Sequence, residues 1–196
     1  MKISHSLKHL FTSRTRLKII GVIFYSPQET FYVRQLVRLV EEEINSVRRE
    51  LDNLKQAGLV CSERRNHRLF YVANPQSPLF ADLVVLANKS NGLSATLQEN
   101  LSHLGSIRSV VASFSFLTGN PADPNKVDLI IIGDTALKEI EKLVKDEETK
   151  RNREINYMVM DKAEFQLRQR KHDPFLVDFF LAYPAVIFGD LKNIAN

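Results

Sequence analysis

Cysteine occurs once, at Cys61, and tryptophan does not occur. A lone cysteine builds neither a disulfide framework nor a cysteine-based zinc site, so a reducing interior is the expected setting. Glycine and proline, seven of each, are too sparse for a collagenous or proline-rich low-complexity chain. Long apolar runs are also missing, and none approaches the roughly 18 residues of a membrane helix. The run 19–25 stops at Pro27, and 175–188 is broken by Asp178 and Pro184. Residues 1–10 carry two lysines and two histidines but no apolar signal core. A soluble cytoplasmic protein with no membrane partner is expected.

What is present suits two small domains, each with its own core. The chain has 196 residues, 44% apolar and 26% charged. Its net charge of +4 conceals an asymmetry. Residues 1–90 hold 14 basic and 8 acidic side chains, a net of +6, which leaves 13 basic and 15 acidic, a net of −2, for residues 91–196. An anion-binding module joined to a mildly acidic partner accounts for that division.

The first half reads as short helices followed by a hairpin. Ser13 is a helix N-cap, and Leu17, Ile20 and Phe24 recur at helical spacing. After the turn 26–29, Thr30-Phe31-Tyr32-Val33 is strand-like, then Val33, Leu36, Val37 and Val40 mark a second helix. Ile44, Val47, Leu51 and Leu54 mark a third, with Gly58 as its C′ residue. Strands are expected at 59–63 and 69–73, joined by the basic stretch Arg64-Arg65-Asn66-His67-Arg68, and another helix from Phe80 to Ala87. The second half alternates helix (93–104), strand (107–117), loop (118–125), strand (127–132), helix (135–146), strand (155–160), helices (161–171 and 174–182) and a last strand (185–188). Phe175, Phe179, Phe180 and Tyr183 read as core or subunit interface. The fold class is therefore α+β, with a boundary between Lys89 and Leu93.

Three helices and a basic hairpin have the layout of a winged helix-turn-helix. The stretch Asn45-Ser46-Val47-Arg48-Arg49-Glu50-Leu51-Asp52-Asn53-Leu54-Lys55-Gln56-Ala57-Gly58-Leu59-Val60 resembles the recognition helix of ArsR- and MarR-like repressors, over about residues 7–73. The resemblance implies binding to double-stranded DNA as a homodimer, with 80–87 and 93–104 as dimer surfaces. With Val47, Leu51 and Leu54 turned inward, Asn45, Ser46, Arg48 and Arg49 form the outward arc and are the expected base readers. Arg64, Arg65, His67 and Arg68 on the wing suit phosphates. Glu50 and Asp52 must face sideways or counteract that arc.

Residues 105–190 resemble a minimal nucleotidyltransferase of the DNA polymerase β superfamily, built on a mixed sheet. That family places Gly-Ser at a strand end and Asp-x-Asp on the next strand, with a third carboxylate later, to hold the metal ions of nucleotidyl transfer. Here Phe114-Ser115 stands at Gly-Ser, Lys126-Val127-Asp128 at Asp-x-Asp, and Asn156 at the third acid, with Glu154 two residues earlier on the same strand face. An ammonium in place of a ligand carboxylate repels a metal ion. The resemblance thus implies a non-enzymatic domain with a degenerate nucleotide site at Ser115, Lys126 and Asp128, holding no metal and no cofactor. Alternatives are nucleotidyl transfer to protein or RNA, as in antitoxin-type relatives of that superfamily, and a pure protein-docking module. The expected whole is a DNA-binding transcriptional regulator, 1–90 reading DNA and 91–196 serving assembly or the sensing of a nucleotide or protein effector.

Overall fold

The computed structural model describes residues 11–101 and 104–191 and has a mixed α+β architecture with two sheets. Residues 1–10, including the start of the first resemblance, and 102–103 of the expected helix 93–104 lie outside the described residues. Contacts divide the chain into two units, Met1–Asn91 and Gly92–Asn196. Among the described residues no helix is long and apolar enough to cross a membrane.

In the first unit, α1 (Arg14–Ile23) opens at Ser13, whose hydroxyl accepts the Arg16 amide at 3.2 Å. The strand β1 (Phe31–Tyr32) is only two residues long, because Val33 already begins α2 (Val33–Val40) rather than continuing the strand. The third helix, α3 (Ile44–Gln56), ends as its sequence requires. Gly58 takes φ +70°, and the amides of Gly58 and Leu59 close onto the carbonyls of Lys55 and Leu54, a Schellman arrangement that turns the chain into the hairpin. Leu17, Ile20, Leu36, Val40, Val47, Leu51 and Leu54 bury the facing sides of the three helices.

The hairpin strands β2 (Val60–Arg65) and β3 (Arg68–Ala73) are longer than expected. Pairing continues to Arg65 opposite Arg68, and Asn66, at φ +53°, forms the turn with His67. The basic stretch is thus mostly strand, not a connecting loop, which fixes the direction of its arginines. The sheet order is β1-β3-β2, antiparallel throughout, and α4 (Phe80–Ser90) closes the unit.

Buried polar pairs set the helices against one another. Glu50, expected beside or against the basic arc, instead turns inward and is 3% exposed. It accepts the Ser13 hydroxyl and Arg16 Nε, each at 2.8 Å, and Asn53 Nδ2 at 3.3 Å. Burial alone would raise its carboxyl, but the hydrogen bonds from Ser13, Arg16 and Asn53 outweigh that and hold it below the usual carboxylate range. Lys18, also 3% exposed, donates to the carbonyl of Val40 at 2.6 Å and pairs with Glu42 at 2.6 Å. It satisfies an orphan carbonyl at the end of α2.

The second unit comprises α5 (Gly92–Asn100), β4 (Gly105–Ala112), α6 (Phe114–Leu117), β5 (Leu129–Thr135), α7 (Leu137–Arg151), β6 (Tyr157–Met160), α8 (Lys162–Arg170), α9 (Pro174–Leu181) and β7 (Ala185–Gly189). Its sheet is mixed, in the order β6-β5-β4-β7, with β5 and β6 parallel and the other pairs antiparallel. Leu129–Ile132 are buried on both faces, as a continuous apolar run requires. Val111, Ile130, Ile132, Met160, Phe165, Leu176 and Phe179 form one core cluster.

Several boundaries of the second unit depart from the sequence reading: the helix expected to end at 146 runs on to Arg151, and the strands expected over 107–117 and 127–132 span Gly105–Ala112 and Leu129–Thr135. The strand expected over 107–117 stops at Ala112, because the Ser113 hydroxyl accepts the Phe116 amide at 3.1 Å and starts a helical turn. Thr135 belongs to β5, so the helix expected from 135 begins at Leu137. Strand β6 begins only at Tyr157, so Glu154 and Asn156 precede it and share no strand face.

Candidate functional site

A groove of about 780 Å³ lies on the first unit between α2, α3 and β3. Its charged lining is Arg34 and Arg38 from α2, Arg48 from α3 and Arg68 from β3, with His67 at the hairpin turn. Among the described residues no carboxylate lines it. Arg34 and Arg38 are one turn apart on the side of α2 opposite the buried Leu36 and Val40. Tyr32 organises the wall. Its hydroxyl accepts from Arg38 Nη2 at 3.0 Å, and its ring lies 5.2 Å beneath the Arg68 guanidinium, while Phe70 packs edge-on against it. Two arginines from distant parts of the chain are thereby fixed on one aromatic side chain.

Of the residues expected to contact DNA, the groove gathers Arg48, His67 and Arg68. Asn45, Arg49, Arg64 and Arg65 are exposed, and Ser46 half-buried, but none lines it. Arg65 is spoken for by Glu63, at 2.9 Å to Nε and 2.7 Å to Nη2. At the start of α3 the carboxylate of Glu43 accepts the amides of Asn45 and Ser46, at 2.7 and 3.1 Å. This helix end therefore carries its own anion and does not offer bare amides to a phosphate. Sequence reading missed Arg34, Arg38 and Tyr32. The i, i+4 arginine pair opposite an apolar stripe was the available signal.

The second unit has a cleft of about 610 Å³ lined in part by Ser115, Lys126 and Asp128, the three residues expected to form a degenerate nucleotide site. Asp128 is 4% exposed and its carboxylate faces away from solvent into an ion pair. Both of its oxygens lie 2.9 Å from Nη2 of Arg153, and Oδ2 also accepts the Asn156 amide at 3.1 Å. Burial pushes the Asp128 carboxyl above the usual range, against the lowering effects of the Asn156 amide and the Arg153 guanidinium. The guanidinium stacks 5.3 Å over Phe116, beside Arg151 at 4.4 Å, and its Nη1 is buried without a hydrogen-bond partner among the described residues.

Asn156 is a clamp. Its side-chain amide donates to the carbonyls of Asp123 and Lys126, at 2.9 and 3.1 Å, and so shapes the loop before β5. The Lys126 ammonium is 77% exposed and 3.6 Å from Asp123. Glu154 is exposed and does not line the cleft. Among the described residues no group of three or more His, Cys, Asp or Glu side chains could hold a metal ion. Cys61 is exposed on β2.

No protein-family model matches the chain, and no curated protein and no solved structure matches it.

Proposed function

We propose that the chain is a sequence-specific regulator that binds duplex DNA through its first unit. The observation that carries this reading is the groove, where four arginines from three elements meet the histidine of the hairpin turn with no carboxylate among them. Such a surface suits phosphates and groove edges. The element order α1-β1-α2-α3-β2-β3, with an antiparallel hairpin after α3, supports a winged helix-turn-helix. On this reading α3 enters the major groove and Arg48 and Arg49 read base edges. Arg34, Arg38, Arg64 and Arg68 then hold phosphates and set position. A homodimer is part of the proposal, because a two-fold protein matches a palindromic site.

The second unit is proposed to be nucleotidyltransferase-like, without catalysis, and to serve assembly or ligand sensing. Support comes from Arg153, whose guanidinium holds the carboxylate that a metal ion would need. A mobility-shift assay on genomic duplex fragments at low salt tests the proposal. Retarded complexes that survive excess unlabelled competitor at a subset of fragments are expected. Uniform absence of retardation overturns it.

A further inference from the structure

The cleft of the second unit is open, and its charge does not suit the triphosphate that its sequence resemblance suggests. Lys126 is the only cationic side chain among the described residues that line it, and Asp123 lies beside that ammonium at 3.6 Å. Asp128 is engaged by Arg153. That leaves Asp178, exposed and with no hydrogen-bond or ion-pair partner for its carboxylate among the described residues. The cleft is thus uncompensated by one negative charge.

Its other wall is aromatic. Phe175, Asp178, Phe179 and Ala182 follow one another at i, i+3, i+4 and i+7, so α9 and its cap turn one face toward the cleft. Phe114, at the start of α6, lines the cleft as well. Where the nucleotidyltransferase pattern has a glycine that admits phosphate, this chain has a large aromatic ring. Aromatic faces attract organic cations, an unpaired carboxylate anchors them, and a volume of about 610 Å³ is within the range of small-molecule sites.

We propose that this cleft binds an organic cation with a flat apolar body, its charged group at Asp178 and its body against Phe114, Phe175 and Phe179. This supplies a ligand class for the sensing role given above to the second unit and rests on that reading for its biological sense. The binding itself is independent of DNA. A phosphate-bearing ligand is disfavoured by Asp178 and by the pairing of Lys126.

The test uses the full chain without DNA and three probes in ligand-observed NMR titrations: benzyltrimethylammonium, benzyl alcohol and ATP. Benzyltrimethylammonium is expected to bind more tightly than both of the others. Asp178→Asn should weaken it by about fivefold, the loss of one charge pair near water. Phe114→Leu, which keeps apolar bulk and removes the ring, should weaken it as well, while affinity for benzyl alcohol changes less. ATP or benzyl alcohol binding as tightly as the cation overturns the proposal. So does an Asp178→Asn protein with unchanged affinity, or a wild-type protein that binds no probe. In each of those cases a positive DNA measurement on the first unit still stands, so the two readings fail separately.

Discussion

Arg153 grips Asp128 with one nitrogen 2.9 Å from both carboxylate oxygens, and the two side chains are 10% and 6% exposed. An internal cation thus sits against the carboxylate that the sequence resemblance would assign to metal binding. Taking a single partner away leaves a buried charge unpaired. Asp128→Ala is therefore expected to destabilise the second unit by about 3–5 kcal/mol. Pairing it with Arg153→Met should recover much of that loss. Urea unfolding of the two variants checks this, and equal loss in both would refute the assignment.

Glu50 and Glu42 make folding stability fall in acid. Lys18 donates to Glu42 and holds its carboxyl below the usual range, as Ser13, Arg16 and Asn53 do for Glu50. A carboxyl with a lowered folded value contributes stability that is complete above its unfolded value. That contribution is lost as pH falls through the folded value. The first unit's denaturant midpoint measured from pH 7 to pH 3 should therefore drop, and Glu50→Gln should both lower its stability at pH 7 and flatten the profile.

Gly189 is required by its backbone. It sits at φ +72° beside an irregular pairing of β4 with β7, and a Cβ there would lie 1.9 Å from the carbonyl oxygen of Arg108. Gly189→Ala forces the edge of the sheet apart. A loss of about 1–3 kcal/mol in thermal or chemical unfolding is expected, on the scale of strained left-handed backbone.

Base readers and phosphate holders should separate in binding experiments. Arg48→Ala with Arg49→Ala should reduce the preference for a selected site over random duplex. Arg34→Ala with Arg38→Ala should weaken all sequences alike and make the salt slope shallower by about two. Tyr32→Phe, which removes the acceptor of Arg38, should have a smaller effect of the second kind. Competition binding at several salt concentrations resolves the two patterns.

Much of the fold was legible because local signals agreed. The stripe Val47, Leu51, Leu54, the left-handed Gly58 and the unbroken apolar run 129–132 each had one structural solution, and each took it. Boundaries were less legible where one side chain decides them. The β-rich stretch 107–117 gives no sign that Ser113 caps a helix instead of continuing the strand. Glu50 looked like surface because its partners, Ser13 and Arg16, are more than thirty residues away in sequence. Arg153 was invisible for the same reason, as it meets Asp128 across 25 residues. The cleft itself was foreshadowed by Ser115, Lys126 and Asp128, but Asp178 on a different helix was not.

The most direct measurement is fluorescence anisotropy of a labelled duplex titrated with the protein at low and rising salt. Saturable binding that weakens steeply with salt is predicted, and it should be lost when Arg34, Arg38, Arg48 and Arg68 are all replaced by alanine in a protein that still melts cooperatively. No binding at low salt, or a fourfold variant that binds as tightly as wild type, would contradict the account.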